Sequence, residues 1–421
     1  MRTMKDSGIE WIGQIPESWS VEALKRNVKI EMGQSPASEC YNSDGVGFPF
    51  LQGNADFTDK FPVERMYTSA ANKFSKTGDL LLSVRAPVGA VNIADKEYAI
   101  GRGLCAITGG RISIPFLWYA IAVLNHEFDA NSTGSTFESI NTEDVGNAKI
   151  MVPGEDEQRR IAEYLDVKCA EIDALIAAKE KTNALLKEWR QSIIYEAVTK
   201  GLNPDVPMKD SGIEWIGQIP EHWGVGKLGY FIEAFNGDRS SNYPSGNDIQ
   251  DSGVPFLTSS NLERDVLDMS NSKYISEEKY KSMSGLKMEL DDIIYCLRGS
   301  VGKCAINKTE TCGTVASSLM GIRCKKMIPD YLLFLLKSSV IETQNALFMN
   351  GTCAANLSAE NVCGYLVPIP NETEQRTIAE YLQGRCSEMD ELISANEATI
   401  QKLKEYRQSV IYEAVTGKIE I

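Results

Sequence analysis

The chain has 421 residues, with 43% hydrophobic and 24% charged side chains, as in ordinary globular proteins of two to four domains. No signal pattern and no membrane-spanning apolar run occurs, so we expect a cytoplasmic protein that makes no membrane contact. The chain has only two histidines, which argues against histidine catalysis. Its ten cysteines form no C-x-x-C pair, which argues against metal sites. No phosphate-binding loop occurs, which argues against nucleotide chemistry.

The N-terminal segment occurs twice. "MKDSGIEWIGQIPESW", from Met4, returns with one residue changed as "MKDSGIEWIGQIPEHW", from Met208. A second block begins with "EQRRIAEYL" at Glu157 and returns as "EQRTIAEYL" at Glu374. The copies lie 204 positions apart in the first block (208 − 4) and 217 in the second (374 − 157). A period of this length indicates duplicated domains, with near-identical flanks around two middle segments that differ.

The two middle segments predict the same mixture of strands and helices. "GDLLLSVRAPVGAVNIA", from Gly78, reads as strand, turn and strand, and "DDIIYCLRGSVGKCAIN", from Asp291, has the same pattern. An apolar helix is predicted after each, where Pro115 and Pro329 suit a first helical turn. The middle segments are therefore predicted to be diverged copies of one α+β fold.

A long helix is predicted after each middle segment. No proline or glycine occurs from Asp156 to Thr199, and apolar residues recur at alternating steps of three and four around a polar centre. Each helix would span roughly 65 Å. Two such helices packed antiparallel would bring their polar centres together. The alternative is one buried helix in each of two ordinary domains. The predicted seam comprises Leu165, Ile172, Leu175, Lys179, Leu186 and Trp189, then Leu382, Met389, Leu392, Asn396, Leu403 and Tyr406.

The order of these segments resembles the DNA-specificity subunit of type I restriction-modification enzymes. The resemblance covers nearly the whole chain, and its motifs recur in order in both copies. The first copy contributes "DSGIEWIGQIPESW", "LLLSVRAPVG", "GSTFESI" and "VPGEDEQRRIAEYLD". The second contributes "IIYCLRGSVG", "GTCAANLSAENV" and "VPIPNETEQRTIAEYL".

The resemblance implies an α+β fold. Two target-recognition domains are expected as a pseudo-twofold tandem repeat, joined by two long antiparallel coiled-coil helices. The expected recognition domains are residues 1–155 and 204–372. The expected coiled-coil spacers are residues 156–203 and 373–421.

The resemblance also implies a non-catalytic subunit that recognises double-stranded DNA. Each recognition domain would read one half of a bipartite sequence. Two modification (methyltransferase) subunits and the restriction (motor-nuclease) subunits are the implied protein partners, for adenine-N6 methylation or cleavage. No cofactor and no metal are expected in this chain, because S-adenosylmethionine, ATP and magnesium would bind the partner subunits.

The candidate DNA contacts lie in loops. Arg85 and Arg298 occupy equivalent strand–turn segments, and arginine can donate two hydrogen bonds to guanine or hold a phosphate. A structural ion pair is the alternative role for both. The other candidates are polar residues at the ends of strands or before the long helices: Gln34, Ser35, Gln52, Asn54, Ser135, Thr136, Thr258, Ser260, Asn261 and Thr352.

The net charge of −15 is unusual for a DNA-binding protein. Basic residues could be concentrated on one face of each recognition domain, or the modification subunits could supply much of the phosphate contact. We expect a mixture of the two, with weak DNA binding by the isolated chain. The competing function is a non-enzymatic coiled-coil scaffold that spaces two protein- or ligand-binding modules.

Overall fold

The computed structural model describes residues 2–132, 139–240, 242–349 and 356–421. The chain divides into two compact units, Met1–Glu180 with Glu397–Ile421, and Lys181–Asn396. Each unit therefore contains one middle segment and parts of both long helices. No helix in the described ranges is long and apolar enough to cross a membrane.

In its described residues, the first copy of the repeat contains thirteen strands, and it ends in a long helix. Its strands are β1 (Met4–Asp6), β2 (Gln14–Pro16), β3 (Ser20–Ala23), β4 (Lys29–Met32), β5 (Tyr41–Asn42), β6 (Phe48–Leu51), β7 (Tyr67–Thr68), β8 (Phe74–Ser75), β9 (Leu80–Ser83), β10 (Val91–Ile93), β11 (Tyr98–Ile100), β12 (Leu104–Thr108) and β13 (Lys149–Val152). Its helices are α1 (Ile114–Ser132), α2 (Thr142–Asn147) and the long α3 (Glu155–Lys200).

The second copy repeats this order with fewer strands. They are β14 (Met208–Asp210), β15 (Gln218–Pro220), β16 (Gly224–Lys227), β17 (Ile232–Asn236), β18 (Val254–Leu257), β19 (Lys273–Ile275), β20 (Ile293–Cys296), β21 (Cys304–Ile306), β22 (Thr314–Val315), β23 (Leu319–Cys324) and β24 (Leu366–Ile369). The helices are α4 (Glu277–Ser282), α5 (Pro329–Leu336), α6 (Ser339–Phe348), α7 (Ala359–Cys363) and the long α8 (Glu372–Val415).

The four-stranded sheets of the two units correspond strand for strand. The first has an antiparallel sheet in the order β10-β9-β12-β4, and the second has β21-β20-β23-β17. A parallel pair lies in another sheet of each unit, β11 on β6 and β22 on β18. The predicted strand–turn–strand segments are β9–β10 and β20–β21. The prediction of two copies of one α+β fold, with long antiparallel helices, is therefore confirmed.

The central strands are buried on both faces, which explains their unbroken apolar sequences. Leu80 and Leu82 belong to one hydrophobic core of the first unit, whereas Leu81 belongs to another. Successive side chains of a strand point to opposite faces, so a strand covered on both sides needs apolar residues throughout. Tyr295 and Cys296 divide in the same way between two cores of the second unit.

The near-identical segments before β3 and β16 attach to the beginnings of the long helices. In the first unit, the indole nitrogen of Trp19 donates a hydrogen bond of 2.8 Å to Glu157 of α3. In the second unit, Trp223 donates to Glu374 of α8 at 3.1 Å. Both indoles are buried. Trp19 and Trp223 therefore serve the structure in both copies.

The same segments also contact the ends of the long helices. In the first unit the hydroxyl of Tyr412, near the end of α8, donates to the backbone oxygen of Trp11 at 2.8 Å. In the second unit Tyr195, near the end of α3, donates to the oxygen of Ile216 at 3.1 Å. The first unit thus joins the N-terminal segment to the C-terminal helix.

The two long helices run antiparallel in the second unit. Asn183 hydrogen-bonds Asn396, and further along α3 Arg190 lies 3.8 Å from Asp390. Residue numbers rise along α3 while those of the partners fall along α8, which defines the direction. A polar pair at the centre of the seam was expected from Asn396, and its partner is Asn183.

In the first unit the helices use equivalent positions. Asp173 of α3 pairs with Arg407 of α8 at 2.9 Å, as Arg190 and Asp390 pair in the second unit. Beside this pair, Ile172 and Ile176 form a small buried cluster with Ile400. The two helix pairs therefore share one packing pattern.

The predicted seam was wrong at two of the five apolar positions on each helix. Leu175, Leu392, Trp189 and Tyr406 are 55%, 55%, 48% and 56% exposed. In each case the next residue along the helix occupies the seam instead, because the contacting positions alternate by four and then three residues. The buried or half-buried positions that follow this spacing are Leu165, Cys169, Ile172, Ile176, Lys179, Asn183, Leu186 and Arg190 on α3, and Leu382, Cys386, Met389, Ile393, Asn396, Ile400, Leu403 and Arg407 on α8.

Candidate nucleic-acid interface

A shallow cavity in the first unit brings together three connections between strands. Its volume is about 210 Å³. Gln52 and Asn54 follow β6, Arg85 follows β9, and Arg102 lies between β11 and β12. Three predicted contacts therefore meet at one place, together with Arg102, which was not among the predicted contacts. The cavity, called the first cleft below, is lined by Gln52, Gly53, Asn54, Ser83, Arg85, Ala86, Arg102 and Gly103.

Two glycines allow Arg102 to lie against the loop that follows β6. A Cβ atom on Gly103 would come within 2.6 Å of the backbone oxygen of Gln52. A Cβ atom on Gly101 would come within 3.0 Å of the Cα atom of Gln52. Only glycine permits a backbone approach this close. The available sequence signal for Arg102 is thus an arginine between two glycines, directly after a buried strand.

The predicted contacts Gln34 and Ser35 lie beside the same turn. The backbone amide of Gln34 donates to the oxygen of Ile100 at 2.9 Å. The hydroxyl oxygen of Ser35 accepts a hydrogen bond of 3.1 Å from the backbone amide of Arg102. Ser35 therefore supports the turn that presents Arg102, while the side chain of Gln34 is exposed next to it.

The first cleft contains two exposed cationic groups. Among the described residues, no hydrogen bond or ion pair engages the guanidinium of Arg85 or of Arg102. By contrast, Arg111 of the same unit pairs with Glu22 at 3.1 Å. Unpaired guanidinium groups attract phosphate and the acceptor edge of guanine. In a chain of net charge −15, this is a local concentration of positive charge.

The second unit places Arg298 at the position that corresponds to Arg85. Arg85 forms a backbone bridge with Ser139, and Arg298 forms one with Asn356. The side chains behave differently, because Nε of Arg298 donates to Oδ1 of Asn356 at 2.9 Å. The side chain of Arg298 is nevertheless exposed. Its terminal guanidinium nitrogens can therefore still contact a ligand.

The turn after β18 contains the predicted contacts Thr258, Ser260 and Asn261. The hydroxyl groups of Thr258 and Ser260 lie 2.9 Å apart, and Ser260 is exposed. Asn261 is buried, accepts from the amide of Thr258 at 2.8 Å and donates to the backbone oxygen of Asp268 at 2.8 Å. The structure therefore gives Asn261 a role in holding the turn, and leaves the two hydroxyl groups at its surface.

The remaining predicted contacts, Ser135, Thr136 and Thr352, lie outside the described residues. They stay predictions, and so do the contacts placed in the first cleft and in the second unit. The geometry brings Gln34, Ser35, Gln52, Asn54 and Arg85 together in the first unit. In the second unit, Asn261 is buried, whereas Ser260 and Arg298 are exposed.

Two buried cysteines, one in the core of each unit, have unreactive thiol groups. Burial raises the pKa of Cys105 and of Cys304 to about 12, so both thiols stay protonated at neutral pH. Within the described ranges, no three His, Cys, Asp or Glu side chains are grouped so that they could hold a metal ion. The polar residues of the first cleft, and not a reactive group, are therefore the distinctive chemical feature of the first unit.

Comparison with known proteins gives the family. The model of the type I restriction modification DNA specificity domain matches residues 16–187 and 220–405. The EcoBI type I restriction enzyme specificity subunit of Escherichia coli is 23% identical over 98% of this chain and 89% of its own length. A Methanocaldococcus jannaschii protein assigned as the MjaX specificity subunit is 38% identical, over 44% of this chain and 43% of its own.

Solved structures agree in fold. A chain from a study of complex assembly and conformational transition of the type I R-M system has a TM-score of 0.75 and 16% identity, covering 96% of this chain and 99% of that one. The HsdS subunit of Thermoanaerobacter tengcongensis has a TM-score of 0.52 and 17% identity, covering 96% and 98%. With two matched domains in tandem, this chain belongs to the family of type I restriction-modification specificity subunits, the non-catalytic DNA-recognition components of these enzymes.

Proposed function

We propose that the chain recognises a bipartite DNA sequence, with one half-site for each recognition domain. In this proposal it also holds two modification subunits and the restriction subunits of the enzyme complex. S-adenosylmethionine, ATP and magnesium bind those partners, which methylate adenine N6 or cleave the DNA. This chain supplies recognition and assembly.

One observation carries the proposal. Two copies of the same fold present an exposed arginine at the same point, Arg85 and Arg298, beside different polar side chains. Gln52 and Asn54 lie near Arg85, whereas the corresponding loop of the second unit presents Thr258 and Ser260. Amide and hydroxyl groups make different patterns of hydrogen bonds with base edges. Two related domains with different surface chemistry suit two different half-sites.

The repeated segments support two equivalent protein partners. Residues 4–19 and 208–223 differ at one position, and each is attached to its helix through a tryptophan–glutamate hydrogen bond. A subunit that recognises one such surface also recognises the other. The expected stoichiometry is therefore two modification subunits for each chain.

The net charge of the chain predicts how the affinity for DNA is divided between this chain and the modification subunits. Phosphate contacts supply most non-specific affinity for DNA, and a net charge of −15 opposes them. We expect weak binding by the purified chain and tight, sequence-specific binding by its complex with modification subunits. Nanomolar, sequence-specific binding by the chain alone, at physiological salt, would contradict this division.

The test is co-expression with a cognate modification subunit in a host that lacks DNA methylation, followed by genome-wide mapping of modified bases. The expected result is N6-methyladenine within one split motif, on both strands. The matched control expresses the modification subunit alone and should give no motif. A soluble complex with an active methyltransferase that modifies no motif would favour a scaffold for other modules instead.

A further inference from the structure

The two recognition domains can be compared residue by residue through their backbone hydrogen bonds. In the first unit, Val84 donates to the oxygen of Gly103 at 2.9 Å. In the second unit, Leu297 donates to Ser318 at 2.8 Å. Each bond joins the residue after the central strand to the last residue of the facing turn. Gly103 and Ser318 are therefore equivalent positions.

A second pair of bonds fixes the other end of the same turn. Gly101 donates to Leu51 at 2.7 Å in the first unit, and Ala316 donates to Leu257 at 2.8 Å in the second. One residue lies between the two fixed points in each unit. That residue is Arg102 in the first recognition domain and Ser317 in the second.

The two recognition domains share an arginine at one equivalent position and differ in residue type at another. Arg85 and Arg298 are the same residue type at equivalent backbone positions, so the residue type there does not distinguish one half-site from the other. Arg102 and Ser317 differ at a place where the surrounding backbone is equivalent. The guanidinium of Arg102 is exposed, it lines the first cleft with Arg85, and no ion pair engages it among the described residues.

The local backbone makes Arg102 suitable for a specific contact. Gly101 and Gly103 hold its turn against Gln52, and the hydroxyl of Ser35 accepts its amide hydrogen. A residue fixed in this way loses less freedom on binding than one in an open loop. Two amide side chains, Gln52 and Asn54, line the same cleft. Amides add no charge for phosphate binding, but they pair well with base edges.

We infer that Arg102 is a specificity-determining residue of the first recognition domain and that it reads a guanine in the half-site of that domain. Arginine presents two parallel donors to the O6 and N7 acceptors of guanine, whereas a serine at this place imposes no such preference. Arg85 and Arg298 supply a contact common to both halves. The inference rests on the proposed bipartite recognition and assigns one base type to one domain.

The experiment uses the complete complex with modification subunits and maps methylated sites for wild type, Arg102→Ser, Arg102→Lys and Ser317→Arg. Arg26→Ser changes an exposed arginine of the same unit that does not line the cleft, and is the matched control. Arg102→Ser should lower the preference for one G·C pair on the order of ten- to one-hundred-fold, in one half of the motif only. The other half and the gap should stay unchanged.

The two further variants separate base reading from phosphate contact. Arg102→Lys keeps the charge but loses the paired donors, so it should also relax the G·C position. Ser317→Arg should alter the preference in the opposite half. Uniformly weaker methylation with an unchanged motif would assign Arg102 to a phosphate and overturn the inference.

The methylation map of the wild type distinguishes failure of the proposed function from failure of the inference about Arg102. A wild-type complex that methylates no split motif overturns the proposed function, and the inference falls with it. A split wild-type motif that is unchanged in Arg102→Ser and Arg102→Lys overturns the inference alone.

Discussion

The side-chain amide of Asn396 on α8 donates a hydrogen bond of 2.8 Å to the amide oxygen of Asn183 on α3. Both side chains are buried in the helix seam of the second unit. A buried amide that lacks its partner costs free energy, so a shifted alignment of the two helices is penalised. The pair therefore fixes the register of the helices within this unit.

We predict that Asn396→Leu lowers the stability of the second unit by about 1–3 kcal/mol, because it leaves the Asn183 amide buried without its partner. The double variant with Asn183→Leu should recover most of the loss, since both polar groups are then removed. Urea unfolding followed by circular dichroism measures the change. Ser394→Leu, at an exposed position of the same helix, should change stability by less than about 0.5 kcal/mol. A double variant less stable than the single one would contradict the prediction.

The seam positions can be tested with two adjacent residues of α3. Leu175 is 55% exposed, whereas Ile176 is 9% exposed and packs with Ile400. Both side chains lose the same number of carbon atoms on substitution by alanine, so each controls for the other. Ile176→Ala should cost about 2–4 kcal/mol and Leu175→Ala less than about 1 kcal/mol, by chemical denaturation. Equal losses would contradict the observed seam, and a larger loss for Leu175→Ala would restore the seam predicted from sequence.

The helices were predictable from sequence, but their seam was only half predictable. Composition and the lack of proline define a long helix whatever its neighbours are. The choice between Leu175 and Ile176 is different, because both are apolar and lie next to each other. Arg190 occupies a true seam position although its side chain is charged. Its burial depends on partners across the seam, which no local pattern contains.

The candidate interface was partly predictable for a similar reason. Arg85 and Arg298 stood out because the repeat places them at matching points. Arg102 has no counterpart in the second copy, where Ser317 occupies its place. Its position beside Gln52 depends on how the strands pair, and strand pairing is a long-range property. Residue type and position at the end of a strand point to Thr258 and Asn261 alike, and neither property separates an exposed hydroxyl from a buried amide.

Asp238 gives the second unit a dependence on acid pH. Its buried carboxylate accepts backbone amides from Ser240 at 2.7 Å and from Ser284 at 2.8 Å. The hydrogen bonds from Ser240 and then Ser284 outweigh burial and lower the pKa of Asp238 to about 2. The ionised form is therefore favoured in the folded protein. Its contribution is complete above the ordinary pKa of about 3.9 and is lost as pH falls towards about 2.

We predict that Asp238→Asn destabilises the second unit by about 2 kcal/mol at neutral pH, since one of the two amides loses its acceptor. The difference between wild type and variant should shrink as the pH is lowered from about 4 towards about 2. Urea midpoints measured at a series of pH values give this difference directly. Asp251→Asn, at an exposed position of the same unit, is the control and should leave the profile unchanged. A constant difference across that range would show that the charge of Asp238 is unimportant.

Asp265 joins the second recognition domain to α3 through two cations. Its carboxylate accepts from Arg190 of α3 at 3.1 Å and from Lys337, which follows α5. Burial raises the pKa of Asp265, but the ammonium of Lys337 and the guanidinium of Arg190 outweigh it, and the pKa ends below its ordinary value. The carboxylate is therefore ionised at neutral pH and neutralises two half-buried positive charges.

Asp265→Ala should destabilise the second unit by about 1–3 kcal/mol, because Arg190 and Lys337 would then lie together without their shared anion. Adding Lys337→Met should recover part of the loss, since it removes one of the two cations. The matched control is Glu277→Ala, which breaks the exposed pair with Lys281 and should cost less than about 0.5 kcal/mol. Thermal unfolding compares the variants, and hydrogen exchange of the α3 amides reports whether the domain loosens from the helix. If Asp265→Ala cost no more than Glu277→Ala, the ion cluster would be a surface feature, and apolar packing alone would hold the domain to α3.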